Sequence, residues 1–289
     1  MGSSSSKPKQ PKPQTTQTQT TTPTQPTTTK SKTKTKSHAI LDKYDTMPQL
    51  QDALRQAGLE SSNLIIGIDY TKSNTWTGKN TFNNQCLHTL HTQFPIYNPY
   101  QRVIDSIGRA LEVFDDDRLI PTFGFGDVTT TNKAIFSFNQ NEQPCSGVQM
   151  VLQRYNEITP SVQMSGPTNF APLIRKAIDI VKITKSYHIL LIIADGQVDN
   201  EKETIAAIVE ASNYPLSIVC IGVGDGPFDK MMEFDDKLVD NKFDNFQFVN
   251  YFEVVSQAPE LQDVIFAVKA LQEIPDQYKF IKENGYLDE

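Results

Sequence analysis

Cysteine is scarce: Cys86, Cys145 and Cys220 are an odd number with no CxxC pair. That excludes a disulfide framework and a cysteine-ligated zinc centre, and it suits a reducing compartment. No apolar run reaches the ~18 residues that span a bilayer, and the N-terminus lacks the apolar core of a secretory signal. The chain is therefore expected neither to cross a membrane nor to leave the cell. Acidic residues are missing from the first 37 positions, which hold seven lysines, while the remainder carries 20 basic against 34 acidic side chains, a balance of −14. A body of that sign is a poor partner for nucleic acid, where affinity rests on neutralising phosphates.

What the first 37 residues do contain is almost entirely Ser, Thr, Gln, Pro and Lys. Such a segment has nothing to bury against the entropy of folding. Residues 1–46 are accordingly expected to be a disordered tail, 47–278 a folded domain and 279–289 a loose end. Met1-Gly2-Ser3-Ser4-Ser5-Ser6 matches the N-myristoylation pattern at Gly2, although a tag remnant or a plain low-complexity start would look the same. One acyl chain binds membranes only marginally, so a second signal is required. Lys30, Lys32, Lys34 and Lys36 supply it if they face anionic lipid, and the Thr and Ser between them are places where phosphate would weaken that attraction. The alternative for these lysines is a solvated linker.

The body alternates strand and helix patterns. Strands are expected at Asn63–Tyr70, Leu119–Gly126, His188–Asp195, Pro215–Val223 and Phe246–Tyr251, with a short antiparallel edge at Ala134–Phe138. Three are unbroken apolar runs, as in strands covered on both faces. Tyr100–Phe114 places Val103, Ile107, Ala110, Leu111 and Phe114 on one helical face, and Ile174, Ala177, Ile178 and Val181 do the same before His188. A helix over Glu253–Lys282 is expected to close the domain, ending at Ile274-Pro275, with Lys279 to Glu289 loose. The fold class is α/β: a doubly wound, mostly parallel, Rossmann-like sheet of about six strands with helices on both faces.

In such a sheet function sits beyond the carboxyl ends of the strands. There the first strand delivers Asp69-Tyr70-Thr71-Lys72-Ser73, a carboxylate followed at two-residue intervals by two hydroxyls. The loop Ser165-Gly166-Pro167-Thr168-Asn169 opens a helix, and the strand HILLIIAD ends in Asp195-Gly196. Oxygen-only ligands suit a hard cation, Mg²⁺ or Mn²⁺, rather than zinc. With only Asp69 and Asp195 charged, the ion remains attractive to a carboxylate offered by a partner protein.

Asp69-x-Thr71-x-Ser73 with Thr168 and Asp195 resembles the metal-ion-dependent adhesion site of von Willebrand A domains, with Thr71 replacing the serine usual at the middle position. The segments IGIDYTKSNTWTG, LIPTFGFGDVTT, SGPTNFAP, LIIADGQV, YPLSIVCIGVGDGPFDKM and FDNFQFVNY are similar to the copine branch of these domains, and in particular to plant-type copine-like RING ubiquitin ligases. The likeness runs from about Leu50 to Tyr278. It implies that Ser73, Thr71 and Thr168 contact the metal directly or through water, while Asp69 and Asp195 hold waters and fix the hydroxyls. It also implies a terminal helix able to move when the site fills. Copines place two C2 domains ahead of the A domain, and only the tail stands here; the ligases place a RING after it, and no cysteine follows Cys220. Intrinsic ligase activity is therefore not expected of these residues unless they are part of a longer chain.

Other readings are weaker. Gly124, Gly126, Gly222, Gly224 and Gly226 lack both GxGxxG spacing and a P-loop lysine, so they are read as tight turns. His88 and His91 lack further ligands for zinc. A hydrolase of the aspartyl-phosphate type would need a second carboxylate where Thr71 stands, and no Ser-His-Asp set is apparent. Trp76, Phe82 and Tyr97 are read as cover for the sheet, with a partner-facing rim as the alternative. The expected function is a non-enzymatic, metal-dependent protein-binding adaptor with no small-molecule substrate. Its expected place is the cytoplasm at the inner face of the plasma membrane, with the nucleus left open. A role in ubiquitination and an A domain with an empty site are the rival readings.

Overall fold

The computed structural model describes Met1, Gly2 and residues 46–289 except 57, 92–95, 197, 239, 258–259 and 288–289. Lys30, Lys32, Lys34 and Lys36, and nearly all of the expected 1–46 tail, lie outside the described residues. Every helix and strand among the described residues belongs to the unit Lys36–Glu289.

The apolar runs at 64–68, 189–194 and 216–222 become strands. In chain order the elements are α1 (Met47–Gln56), β1 (Asn63–Asp69), α2 (Pro99–Leu111), β2 (Leu119–Ile120), β3 (Thr122–Phe125), β4 (Phe136–Ser137), β5 (Cys145–Ser146), α3 (Gly147–Ile158), α4 (Ala171–Thr184), β6 (His188–Ala194), α5 (Glu201–Ala211), β7 (Leu216–Gly222), α6 (Asp229–Lys237), β8 (Phe246–Asn250), α7 (Tyr251–Gln257), α8 (Gln262–Leu271) and α9 (Ile274–Glu283). The main sheet has the order β4-β3-β1-β6-β7-β8. All its neighbours are parallel except β4, the antiparallel edge. Strands β2 and β5 form a separate antiparallel pair.

Successive strand residues point to opposite faces, and both faces are covered. Leu64, Ile66 and Ile68 of β1 join Ile189, Leu191 and Ile193 of β6 in a core shared with α2, α3, α8 and α9. Ile65, Leu190, Ile192 and Ile218 enter the opposite core with α4 and α5. Burying one such side chain stabilises the fold by about 1.5–3 kcal/mol, which is why alternation disappears from these runs. Gly67 lets α4 approach closely, since a Cβ there would lie 2.1 Å from Leu173 Cδ2. Among the described residues no helix is long and apolar enough to cross a membrane.

Three expectations are corrected. The strand expected over Leu119–Gly126 divides at Pro121, which has no N–H for a ladder; β2 and β3 then join different sheets, while the Pro121 carbonyl still accepts from Ile66 N at 2.9 Å. The helix expected to Phe114 ends at Leu111 and tightens into a 3₁₀ turn, Glu112–Phe114. The single closing helix is three helices. Pro275 stands in the first turn of α9, where a missing N–H costs nothing, so it begins a helix rather than ending one.

The expected loose end from Lys279 is thus packed structure through the end of α9 and just beyond. Ile281 is fully buried, and Phe243 stacks on Phe280 at 5.3 Å and meets Tyr286 edge-on at 6.0 Å. Ile281→Ala is expected to lower the stability measured by urea titration by about 2–4 kcal/mol. A change within experimental error would mean that α9 adds nothing to the core.

Candidate metal centre

Parallel strands bring their carboxyl ends to one edge. Strand β1 finishes at Asp69 and β6 runs into Asp195, and because Ile68 pairs with Ile193 the two carboxylates emerge on neighbouring strands. Beyond Asp69 the chain stays extended through Thr71 and then turns in a 3₁₀ segment, Lys72–Thr75, which returns Ser73 towards Asp195. The Ser165–Asn169 loop docks alongside: Thr71 and Ser165 form a parallel bridge, and Lys72 N donates to Ser165 O at 2.6 Å.

The oxygens converge. Thr71 N donates to Asp69 Oδ1 at 2.7 Å, and Ser73 Oγ donates to Asp195 Oδ1 at 2.9 Å. Thr71 Oγ1 lies 3.0 Å from Ser73 Oγ and 3.4 Å from Asp195 Oδ1. Both carboxylates are fully buried, and Asp69 Oδ2 has no hydrogen-bond partner. Four of the five expected ligands therefore form one set. Thr168 is buried on the docked loop, but its backbone bonds are to Asp199 and Asn200: its amide donates to Asp199 Oδ2 at 2.7 Å, and its carbonyl accepts from both amides.

Four residues outside the expected motif complete the arrangement. Thr77 Oγ1 donates to Asp195 Oδ2 at 2.5 Å. The Asp69 carbonyl accepts from His88 Nε2 at 2.8 Å, Tyr100 Oη at 3.2 Å and Asn74 Nδ2 at 3.3 Å. A carbonyl only accepts, so His88 carries its proton on Nε2 and its Nδ1 accepts from the Tyr155 hydroxyl at 2.7 Å. Burial pushes His88 down to about 3, and the neutral ring lies between Tyr70 and Tyr100 with centroids 4.6 and 4.0 Å away. It positions Asp69 and is no metal ligand. Gly126, at φ +80°, completes the fit: a Cβ there would stand 2.5 Å from Thr71 Cγ2 and 3.3 Å from Asp69 Oδ1. The glycine makes room for the carboxylate, as the tight-turn reading requires. Trp76, expected as cover, is 58% exposed, whereas Phe82 and Tyr97 are partly buried against the core.

Electrostatics describe what the set lacks. Burial first, and then the charge of Asp195, raises Asp69 well above the usual carboxylate range; burial pushes Asp195 up to about 6 despite the hydroxyls that donate to it. A cation would relieve both, and two buried carboxylates, one with an unpartnered oxygen and the other carrying the hydroxyls of Thr71 and Ser73, are a donor set for a hard divalent ion. Among the described residues no group of three or more His, Cys, Asp or Glu is placed to hold a metal.

Comparison with known proteins agrees with the resemblance seen in the sequence. The family model described as Copine matches residues 86–289, a span that contains Thr168 and Asp195 and starts after Asp69, Thr71 and Ser73. The E3 ubiquitin-protein ligase RGLG5 of Arabidopsis thaliana is 51% identical over 263 residues, which cover 86% of this chain and 60% of that protein. Copine family protein 2 of Caenorhabditis elegans is 51% identical over 247 residues, covering 84% of this chain and 3% of its own length. The chain thus spans about three fifths of the first plant relatives, RGLG5 and RGLG2. Among solved structures, the manganese-loaded Plasmodium vivax TRAP protein is similar with a TM-score of 0.45 at 11% identity, covering 72% of this chain and 74% of that one.

The raised acids set a pH dependence. Because the folded form of Asp195 binds its proton more tightly than an ordinary carboxylate at 3.8, its contribution to metal-free stability is complete below that value and is lost as pH rises through about 6. In EDTA, Asp195→Asn is expected to stabilise the protein at pH 7.5, on the order of 1–3 kcal/mol, and to gain clearly less at pH 4.5. Paired thermal melts at the two pH values check this; an equal effect at both would mean that the Asp195 charge is not strained.

Proposed function

The chain belongs to the copine family, and from that premise we propose that it is a protein-binding module that captures an acidic residue of a partner through Mg²⁺ or Mn²⁺ at Asp69, Thr71, Ser73, Thr168 and Asp195. The observation that carries this reading is the pair of buried carboxylates that hydroxyls adjoin and in which Asp69 Oδ2 has no partner. A bound cation would supply Lewis acidity towards a partner's carboxylate.

The chain's own residues do the rest. A hydroxyl that donates to Asp195 keeps its acceptor lone pairs, so Ser73 and Thr71 can face a cation while orienting the carboxylate that balances its charge. Thr77 fixes the other oxygen of Asp195, and His88, Tyr100 and Asn74 prevent the Asp69 backbone from shifting. Because two carboxylates do not satisfy six or more positions, coordination is left for water and for the partner. We further propose that the tail brings this module to the cytoplasmic face of the plasma membrane through acylated Gly2 and the basic run Lys30, Lys32, Lys34 and Lys36; the Met-Gly start and the absence of acids support this.

A second reading is capture of substrates for ubiquitination. It is supported by half-identity to proteins named E3 ubiquitin-protein ligases, of which this chain spans only part.

Immobilised full-length protein is expected to retain partner proteins in Mg²⁺ and release them in EDTA, and the Thr71→Ala/Ser73→Ala variant is expected to retain none while melting as a folded protein. Retention that survives both EDTA and the double substitution would sink the metal-centred mechanism. Ubiquitin chains formed by the purified protein with activating and conjugating enzymes alone would favour the ligase reading.

A further inference from the structure

Trp76 is the only tryptophan of the chain, and 58% of it is exposed three residues after Ser73. Its loop is not free to fold it away. Trp76 N donates to Ser73 O at 2.9 Å, and the next residue, Thr77, is buried with its hydroxyl on Asp195 and its carbonyl accepting from Asp225 N at 2.7 Å. The Asp225 carboxylate in turn accepts from the amides of Asn80 and Thr81 and from both of their side chains. The indole is therefore held in water on a rigid support. Large aromatic side chains presented in this way dominate binding surfaces, because burying them on contact releases water and little conformational freedom is lost.

Strand order gives the surface a direction. Along the carboxyl edge, Val128 follows β3, Asp69 ends β1, Asp195 follows β6, and Asp225, which secures the Trp76 loop, follows β7. Val128 is 51% exposed and follows Asp127, which is bridged to Met164, the neighbour of the Ser165 that pairs with Thr71. Exposed apolar groups thus stand on both sides of the candidate metal centre. Lys72 and Lys79, both exposed, lie in the same segment as Trp76.

We infer that the partner is recognised as an extended peptide segment in which the acidic residue is flanked by a large apolar side chain that packs on Trp76, with Val128 meeting the segment on the far side. This deepens, and rests on, the metal-centred reading. The cation and not the rim selects the acid, since Lys72 and Lys79 share the edge with Asp127 and Asp225, and the indole selects which acidic sequences bind.

The test is selection from a displayed peptide library with a fixed central Asp or Glu, using the full-length protein in Mg²⁺. The expected consensus carries an aromatic or branched aliphatic residue near the acid. Trp76→Ser should bind a synthetic consensus peptide about tenfold or more weakly yet keep the wild-type rise of melting temperature with Mg²⁺. The emission of the sole tryptophan should shift to the blue and resist quenching when the peptide binds, and Mg²⁺ alone should not produce that change. A consensus without an apolar position, undiminished binding by Trp76→Ser, or an unmoved emission spectrum overturns the inference while leaving the metal site standing. Peptide binding that persists in Asp69→Ala overturns the metal-centred reading itself.

Discussion

Two aspartates, both withdrawn from water, end neighbouring parallel strands, and burial opposes the charge of each. The rest of the edge is arranged around that cost. Hydroxyls of Ser73, Thr71 and Thr77 donate to Asp195, the Thr71 amide holds one oxygen of Asp69, and one oxygen of Asp69 is left over. A protein that needed only stability would do better with apolar side chains at these positions, since a buried charge without full compensation is destabilising. The arrangement makes sense as a site that is completed by something positive and then by something negative.

The sheet provides the rigidity this requires. Parallel pairing places Asp69 and Asp195 on neighbouring strands, and cores on both faces leave the strands no freedom to slide. Beneath the site His88, Tyr155 and Asn98 are joined by hydrogen bonds, Tyr70 and Tyr100 stack on the His88 ring, and the Asp69 carbonyl is fixed by three donors. Such a network is valuable only when complete, and removing one member leaves several buried polar groups without partners. Thr77 and Asp225 extend the same logic to the loop that presents Trp76.

The sheet is legible in the sequence because its strands are buried on both sides: Leu64–Ile68 and Ile189–Ile193 read as strands without alternation, and the edge strand near Phe136 is marked by its brevity. The candidate set is legible where strand ends and short spacing place it: Asp69, Thr71 and Ser73 stand where β1 finishes, and Asp195 follows β6. Thr77, His88 and Tyr100 are not, because their roles arise from how residues 72–91 and the start of α2 come together at the edge, and no period or motif encodes that arrangement. Pro275 is ambiguous in kind: a proline between two helical patterns either ends the first or begins the second, and the packing of Ile281 decides between them. Trp76 escapes for a related reason, since an aromatic residue in a loop looks the same in sequence whether the loop turns it inward or outward.

Cation binding at the carboxyl edge is measured most directly by anomalous diffraction from crystals of the protein grown in Mn²⁺ at pH 7.5. A cation held by the two aspartates and their hydroxyls predicts a single strong peak at the carboxyl edge, within coordination or water-bridged distance of Ser73 Oγ and Thr71 Oγ1, and its disappearance in crystals of Asp69→Ala. Well-ordered crystals in Mn²⁺ with no peak at that edge, or with a peak unchanged by the substitution, would contradict it.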